Sequence, residues 1–257
     1  MIEVQHLYKA FDDKEVLTDI NATFPDGQVN LVIGQSGSGK TVLIKNIVGL
    51  LTPTRGSVLY DGRSFHELPS RERVRMRREM GMIFQSAALF DSLTVLQNVM
   101  FPLDMFSDMP LTDRVKQAQR CLHRVNLDGV DSKYPEELSG GMQKRVAIAR
   151  AIVLQPRYLF CDEPNSGLDP KTSLVIDQLI ASITHEDGIT TIVNTHDMNS
   201  VMGIGEHITF ICSGRAEWHG SNDQILSADN PKLQDFIFAS DILRQAKQAY
   251  DREKGTR

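Results

Sequence analysis

The stretch Gly34-Gln35-Ser36-Gly37-Ser38-Gly39-Lys40-Thr41 decides the fold of this chain. It fits the pattern G-x-x-x-x-G-K-[S/T], in which glycines let consecutive backbone N–H groups face phosphate oxygens. An apolar run, Val29–Ile33, precedes it, and helix-spaced apolar residues follow over 42–51. The alternative is an ordinary glycine-rich turn, which would not require an apolar strand before it and an apolar helix after it. The context therefore predicts a phosphate cradle in which Lys40 supplies a charge to the β- and γ-phosphates and the Thr41 hydroxyl binds Mg²⁺.

A pair of carboxylates, Asp162 and Glu163, ends a second apolar run at Tyr158–Cys161. In an open parallel sheet, ligands bind outside the carboxyl ends of the strands. Asp162 is therefore predicted to hold Mg²⁺ through water, and Glu163 to orient or polarise an attacking water. Alone, the pair could be a solvated acidic turn. Together with residues 34–41 it predicts nucleotide hydrolysis.

The remaining pattern alternates strands and helices, which predicts an α/β fold with a parallel sheet covered on both faces. Helices are expected over 112–128, with Thr112 as a cap, over 142–154, and over 172–185, with Val175 among the buried residues. Over 89–111, more than half of the residues are apolar, but two prolines interrupt any helix pattern. Two interpretations of that segment stay open: core of a helical lobe, and a groove that receives a helix from a partner.

Composition narrows the function classes. With 28 Lys and Arg against 33 Asp and Glu the net charge is −5, which argues against a nucleic-acid binder. The three cysteines show no CxxC spacing, as expected in a reducing compartment. No secretory signal and no run of ~18 apolar residues is found, so the chain is expected to be soluble and intracellular, with any membrane role through a partner.

A second predicted anion site lies in Leu138–Arg145, where Ser139, Gly140 and Gly141 open a helix. Because one triphosphate needs only one cradle, the site at residues 138–145 is expected to contact a nucleotide that is bound by another copy of the protein. The alternative is an ordinary N-capped helix.

Taken together, these motifs resemble the ATPase subunits of ATP-binding-cassette (ABC) transporters over residues 1–225. The resemblance implies a P-loop NTPase with the ABC ATPase fold: a mostly parallel core sheet, an N-terminal antiparallel β subdomain and a helical subdomain. It implies an ATP-binding domain over 1–235, with the helical subdomain inserted at about 86–157, and a C-terminal helical tail over 236–257.

The resemblance also implies an enzyme that converts ATP and water to ADP and phosphate with Mg²⁺. Phe11 would stack on adenine beside Val16, Gln85 would reach Mg²⁺ or water and sense a permease, and His196 would contact the γ-phosphate. Residues 166–169 would lie at the seam of a dimer. The implied catalytic residues are Glu163, His196, Gln85 and Lys40. The implied nucleotide-binding residues are Phe11, Val16, Gly34, Gln35, Ser36, Gly37, Ser38, Gly39, Lys40, Thr41, Asp162, Ser139, Gly140 and Gly141. The implied metal-binding residues are Thr41, Gln85 and Asp162.

The partners are implied in the same way: a homodimer packed head to tail around two ATP molecules, and an integral membrane permease. The amino-acid sequence of residues 84–103 resembles that of the ATPases of Mla/Mce-type lipid transporters, although Gln97 stands where glutamate is usual. This implies phospholipid transport between inner and outer membranes, with an MCE-domain protein and a small accessory protein. The chain would lie at the cytoplasmic face of the bacterial inner membrane, bound through the permease and without nucleic acid. The alternative is an importer of an amino acid or other small solute.

Overall fold

The computed structural model describes residues 1–239, which form ten strands and nine α-helices. The strands, in chain order, are β1 (Ile2–Phe11), β2 (Lys14–Phe24), β3 (Val29–Ile33), β4 (Arg55–Tyr60), β5 (Arg63–Ser64), β6 (Met80–Ile83), β7 (Tyr158–Asp162), β8 (Thr190–Thr195), β9 (His207–Cys212) and β10 (Arg215–Gly220). The helices are α1 (Lys40–Ile47), α2 (Ser70–Arg78), α3 (Val95–Phe106), α4 (Leu111–Arg124), α5 (Gly140–Ile152), α6 (Pro170–Asp187), α7 (Met198–Ile204), α8 (Asn222–Ile225) and α9 (Pro231–Ile237), with a short 3-10 helix at Pro135–Glu137.

The strands form two sheets. The N-terminal sheet has the order β2-β1-β4-β5 and is antiparallel, whereas the core sheet has the order β10-β9-β3-β8-β7-β6. Within the core sheet, β9, β3, β8, β7 and β6 are parallel, and β10 runs antiparallel to β9. Every residue of β3, β7 and β8 is buried, as strands covered on both faces require. The predicted α/β fold with a mostly parallel core sheet is confirmed.

Two apolar clusters hold these layers together. One joins the N-terminal sheet, α1 and one face of the core sheet, and it contains Val32, Phe160 and Ile192. The other covers the opposite face and contains Leu31, Ile33 and further residues of α3 to α6. Neighbouring residues of a strand enter opposite clusters because successive side chains point to opposite faces.

The strand register brings the predicted site to one edge of the core sheet. Ile33 pairs with Thr195, and Asp162 pairs with Asn194. The carboxyl ends of β3, β7 and β8 therefore lie side by side. The cradle follows β3 directly, and Glu163 follows β7.

One prediction fails at α3, which is a continuous helix with Pro102 in its interior. Thr94 caps its start by accepting from the Gln97 N–H, and the Gln97 side chain completes a capping box. Val95, Val99 and Leu103 are spaced four residues apart, and all are buried. Capping and burial together outweigh the cost of one interior proline.

Two smaller predictions are also wrong. Helix α4 begins at Leu111 after Pro110, so Thr112 lies inside the first turn and is not the cap. Val175 on α6 is 43% exposed, because Ile176, Leu179, Ile180 and Ile183 already fill the buried stripe of that helix and Val175 lies at its edge.

The domain limits stay predictions. Helices α3, α4 and α5 fall within 86–157 and pack against one another. Of the predicted tail over 236–257, residues 240–257, including Ile242, Leu243, Ala246 and Ala249, lie outside the described residues. Up to residue 239, no helix has both the length and the apolar character needed to cross a bilayer.

Candidate functional site

Two glycines of the cradle, residues 34–41, have left-handed backbone and lie where a side chain would meet neighbouring atoms. Gly34 has φ +151°, and a Cβ there would lie 2.1 Å from the Ile211 carbonyl oxygen. Gly39 has φ +106°, and a Cβ there would lie 2.7 Å from Leu17 Cδ2. Both ends of the loop therefore pack closely against other residues of the same chain, Leu17 and Ile211. The loop thereby places the start of α1 at the edge of the sheet.

The cradle also carries a buried cation. Lys40 is 4% exposed, and its Nζ donates to the carbonyl oxygens of Gly34 at 2.9 Å and Gln35 at 3.0 Å. Burial lowers the pKa of Lys40, and the nearby carboxylates of Glu163 and Asp162 oppose that shift. Ser38 Oγ is buried with no hydrogen-bond partner in residues 1–239. A helix start, an ammonium group and an unpartnered hydroxyl form a set that fits phosphate oxygens.

A second group joins Thr41, Asp162 and Asn194. The Thr41 hydroxyl donates to Asp162 Oδ1 at 2.9 Å, and Asn194 Nδ2 donates to the same oxygen at 2.5 Å and to Thr41 Oγ1 at 3.2 Å. The hydroxyl and carboxylate oxygens are of the kind that Mg²⁺ prefers, so the donor set fits a magnesium site. Asn194 was not predicted. The only signal for it is a polar residue near the end of a β-branched strand at this edge.

Glu163 lies between two of the other predicted site residues. Gln85 Nε2 donates to Glu163 Oε2 at 3.2 Å, and His196 Nδ1 is 3.3 Å from Glu163 Oε1. The backbone of Glu163 is left-handed, with φ +48°, and its N–H donates to the Asn194 carbonyl oxygen at 2.9 Å. That conformation costs roughly 1–3 kcal/mol in a non-glycine residue. The end of β7 thus holds a strained residue whose carboxylate contacts an amide donor on one side and an imidazole nitrogen on the other.

Gln85 is fixed from its backbone as well. Its carbonyl oxygen accepts a hydrogen bond from Lys144 Nζ, and Lys144 is buried on α5. Burial lowers the pKa of Lys144, and the Glu163 carboxylate opposes that shift. Nearby, Arg150 donates to the carbonyl oxygens of Ala87 and Ala88 at 2.8 and 2.7 Å. Two cations of α5 therefore hold the loop after β6, and neither was predicted.

The residues predicted to serve another copy lie at the start of α5. Ser139 caps α5 by accepting from the Met142 N–H at 3.3 Å. A Cβ on Gly141 would lie 2.6 Å from Thr172 Cγ2, so this turn packs against the start of α6. The hydrogen bonds found within residues 1–239 do not join residues 139–141 to residues 34–41.

The two residues predicted to contact adenine, Val16 and Phe11, lie in different surroundings. Val16 lies beside the cradle, since its carbonyl oxygen is 3.3 Å from the position that a Gly39 Cβ would take. Phe11 ends β1 and is 42% exposed, with Lys9 Nζ 5.0 Å from its ring centre. The structure therefore places Val16 against the cradle and leaves the Phe11 ring on the surface.

An apolar groove of about 550 Å³ lies behind the Gln85 loop. Its wall comes partly from the exposed side of α3, whose buried side belongs to the core, so the segment 89–111 contributes to both. The lining includes four phenylalanines and three arginines: Phe84, Phe90, Phe101, Phe106, Arg77, Arg78 and Arg150.

Comparison with known proteins gives three relatives of interest. The probable ribonucleotide transport ATP-binding protein mkl of Mycobacterium tuberculosis is 35% identical over 236 residues, covering 92% of this chain and 66% of that protein. The intermembrane phospholipid transport system ATP-binding protein MlaF of Haemophilus influenzae is 35% identical over 237 residues, covering 92% and 90%. The methionine import ATP-binding protein MetN of Corynebacterium jeikeium is 39% identical over 216 residues, covering 84% and 58%. The chain thus spans about two thirds of the length of mkl.

Family and structural comparisons agree with these relatives. Residues 17–166 match the family described as ABC transporter. The dimeric ATP-binding cassette MJ0796, solved in a post-hydrolysis state with ADP and Pi, superimposes with a TM-score of 0.78 at 33% identity, covering 86% of this chain and 99% of that one. The matched range includes the cradle, Gln85, residues 139–141 and Glu163, and the chain therefore belongs to the ABC transporter family, as an ATPase domain of that family.

Proposed function

We propose that this chain is the ATP-hydrolysing subunit of an ABC transporter that moves phospholipid between the inner and outer bacterial membranes. The observation that supports hydrolysis is the Glu163 carboxylate, placed between Gln85 Nε2 and His196 Nδ1. Two observations support a lipid substrate. The similarity to MlaF spans 90% of that protein, and the sequence of residues 84–103 resembles the ATPases of Mla/Mce-type lipid transporters.

Each group of side chains would have one task. Residues 34–41 would hold the phosphates, and Phe11 and Val16 would contact the adenine. Thr41, Asp162 and Gln85 would hold Mg²⁺, which when bound neutralises charge on phosphate oxygens.

Glu163 would orient a water for in-line attack on the γ-phosphorus. The water oxygen bonds to phosphorus as the bond to the β–γ bridging oxygen breaks, which leaves ADP and phosphate. Lys40 and His196 would stabilise the charge on the γ-phosphate oxygens. Catalysis of this kind is positioning and electrostatics.

The site would be completed by a second copy. Ser139, Gly140 and Gly141 lie at a helix start that makes no hydrogen bond to the cradle within residues 1–239, and such a helix start suits an anion. In a head-to-tail homodimer each copy would cover the γ-phosphate bound by the other, so ATP would stabilise the closed pair. The solved cassette MJ0796, to which the chain is similar, is described as dimeric.

Substitution of Glu163 tests hydrolysis and dimerisation together. Glu163→Gln should lower ATP turnover by at least about 100-fold and accumulate an ATP-bound dimer, measured by light scattering after size-exclusion chromatography. ADP should leave the same variant monomeric. Glu136→Gln, on the exposed 3-10 helix, is the matched control. Unchanged turnover in Glu163→Gln would refute the role of this carboxylate.

The partners would be an integral permease, an MCE-domain protein and a small accessory protein, at the cytoplasmic face of the inner membrane. The apolar groove behind Gln85 is the surface we assign to the permease, because its aromatic and aliphatic lining suits the apolar face of a partner helix. Co-purification from detergent-solubilised membranes, with identification of bound proteins and lipids, tests this assignment.

A second candidate is the ATPase subunit of an importer for an amino acid or other small solute. The 39% identity to MetN favours it, and the nucleotide site would be the same. In the purified complex, retained phospholipid and lipid-stimulated ATPase activity would support the lipid transporter. Stimulation by a solute with its binding protein would support the importer.

A further inference from the structure

The amide of Asn194 lies where the proposed metal site needs support. We propose that Asn194 is a positioning residue that holds the Thr41 hydroxyl and the Asp162 carboxylate in the arrangement that Mg²⁺ requires. The inference rests on the proposed function, which makes Thr41 and Asp162 metal-binding residues.

The geometry is a closed triangle of three polar atoms. Asn194 Nδ2 donates to Asp162 Oδ1 at 2.5 Å and to Thr41 Oγ1 at 3.2 Å, and the Thr41 hydroxyl donates to Asp162 Oδ1 at 2.9 Å. One NH₂ group thus contacts both oxygens at once. The backbone fixes its place, because Asn194 pairs with Asp162 in the parallel ladder between β7 and β8.

The orientation of the amide follows from its neighbours. Reversing it would turn Asn194 Oδ1 toward the Asp162 carboxylate, an acceptor facing an acceptor. In the orientation that donates to both oxygens, Oδ1 is buried without a hydrogen-bond partner in residues 1–239. Asn194 itself is fully buried. An aliphatic residue would supply no donor to the buried Asp162 carboxylate or to the Thr41 hydroxyl, so the amide is suited to this position by what it donates.

The chemistry of the amide suits a supporting role. It is a neutral donor, so it can orient the carboxylate without neutralising the charge that attracts a cation. Hydrogen bonds from outer residues orient metal ligands, and their loss typically lowers metal affinity or activity by about 10–100-fold.

Asn30 offers a matched control on the adjacent strand β3. It is also a fully buried asparagine with an unpartnered Oδ1. Its Nδ2, however, donates to the backbone carbonyl oxygens of Pro25, Gln28 and Thr191 at 3.1 Å each. Replacing Asn30 therefore removes comparable buried hydrogen bonds without touching the proposed metal residues.

The experiment measures how strongly Mg²⁺ and nucleotide binding are coupled. Affinity for a fluorescent ADP analogue is determined for wild type, Asn194→Val and Asn30→Val, in saturating Mg²⁺ and in excess EDTA, and the ratio of the two affinities is compared. For Asn194→Val this ratio should fall by about 10-fold, while the affinity in EDTA stays at the wild-type value. Asn30→Val should keep the wild-type ratio. Valine suits a strand at both positions.

The outcomes distinguish a failure of the role of Asn194 from a failure of the proposed metal site. A wild-type ratio in Asn194→Val, whatever its melting temperature, would overturn the inference and leave the proposed function intact. A wild-type protein that binds the analogue equally in Mg²⁺ and EDTA would overturn the proposed metal role, and this inference with it. Asn194→Ser is the second variant if the valine form does not fold. Its shorter hydroxyl can donate to only one of the two oxygens, so an intermediate ratio supports the inference and an unchanged ratio contradicts it.

Discussion

Lys40 carries a positive charge that the fold has almost completely removed from water. Its hydrogen bonds go to two backbone carbonyl oxygens of the cradle, and the carboxylates of Glu163 and Asp162 act on it from farther away. A buried ammonium group with only neutral hydrogen-bond partners is a costly arrangement. It becomes favourable when an anion enters the cradle, and we therefore expect Lys40 to contribute to ligand binding more than to folding.

Replacement of Lys40 by methionine tests this expectation at the scale of one residue. Lys40→Met should lower nucleotide affinity by about 100-fold, the equivalent of about 3 kcal/mol of charge-assisted hydrogen bonding, and abolish ATP turnover. The melting temperature should hold or rise, because a desolvated charge is removed. Titration with a fluorescent nucleotide and thermal denaturation measure both effects. An equal loss of affinity in Lys45→Met, on the same helix, would contradict the assignment.

Sequence motifs predict some of these residues and not others, for a physical reason. Lys40 and Thr41 belong to a local pattern, because one loop and one helix start hold them. Asn194 contacts Asp162 only because β7 and β8 pair in a particular register across 32 residues of chain. No spacing rule within one segment contains that information. A polar residue near the end of a β-branched strand is therefore a weak signal, and its partner is known only when the sheet is assembled.

Helix α5 connects two parts of the site at the scale of an element. Its first turn carries the Ser139 cap, and one turn later Lys144 holds the Gln85 carbonyl oxygen. Because Gln85 contacts Glu163 through its side chain, a shift of α5 would move the group beside the carboxylate. The helix is thus placed to link the surface that would meet a second copy with the proposed hydrolytic site of its own chain.

Removal of the Lys144 ammonium group should separate binding from turnover. Lys144→Met should lower kcat by about 10-fold and leave the KM for ATP within about twofold, because the cradle is untouched. Lys144→Arg should restore part of the rate. Arg145→Met is the control, since the neighbouring Arg145 donates to the Asn126 carbonyl oxygen at 3.0 Å, away from the site. Equal kcat losses in the two methionine variants would refute the specific role of Lys144.

The α3 segment shows where element prediction from sequence reaches its limit. Pro102 and the scattered polar residues argue locally against a helix. The helix forms because its start is capped by Thr94 and because Asn98 is buried, its Nδ2 donating to three carbonyl oxygens of residues 90–94 at 3.0–3.1 Å. Burial of the apolar side of α3 depends on its packing against α4 and α5, which the sequence of the segment alone does not specify. Strands β3, β7 and β8 were easier to predict, because each is a short run of residues without proline or glycine, and all of its residues are buried.

At the scale of the whole molecule, the two sheets are joined along β2, β9 and β10. The Thr18 N–H in β2 donates to the Gly214 carbonyl oxygen between β9 and β10 at 2.8 Å. His207 lies at the start of β9, where the backbone of Thr23 in β2 is close enough to raise its pKa against the larger, lowering effect of burial. The alternation of strands and helices predicted two kinds of layer, but contacts so distant in sequence determine how the layers meet.

That junction should make the stability of the protein depend on pH. Burial lowers the pKa of His207, and its Nε2 is buried with no partner in residues 1–239, so protonation would leave an N–H without an acceptor. Burial also lowers the pKa of His66. The unfolded chain binds these protons at about pH 6.5. Stability is therefore full above that pH and falls as the pH drops toward the lowered pKa values of the folded state.

We accordingly expect the melting temperature to fall by a few degrees between about pH 7.5 and about pH 5.5. His207→Gln removes one of the titrating groups and should flatten that dependence, whatever it does to the melting temperature at neutral pH. His123→Gln is the comparison, because His123 is exposed on α4 and contacts Asp128 at 3.0 Å. It should leave the acid-induced loss in place. A wild-type protein that becomes more stable on acidification, or a His207→Gln variant with the wild-type slope, would show that the junction between the sheets does not bury a neutral histidine in this way.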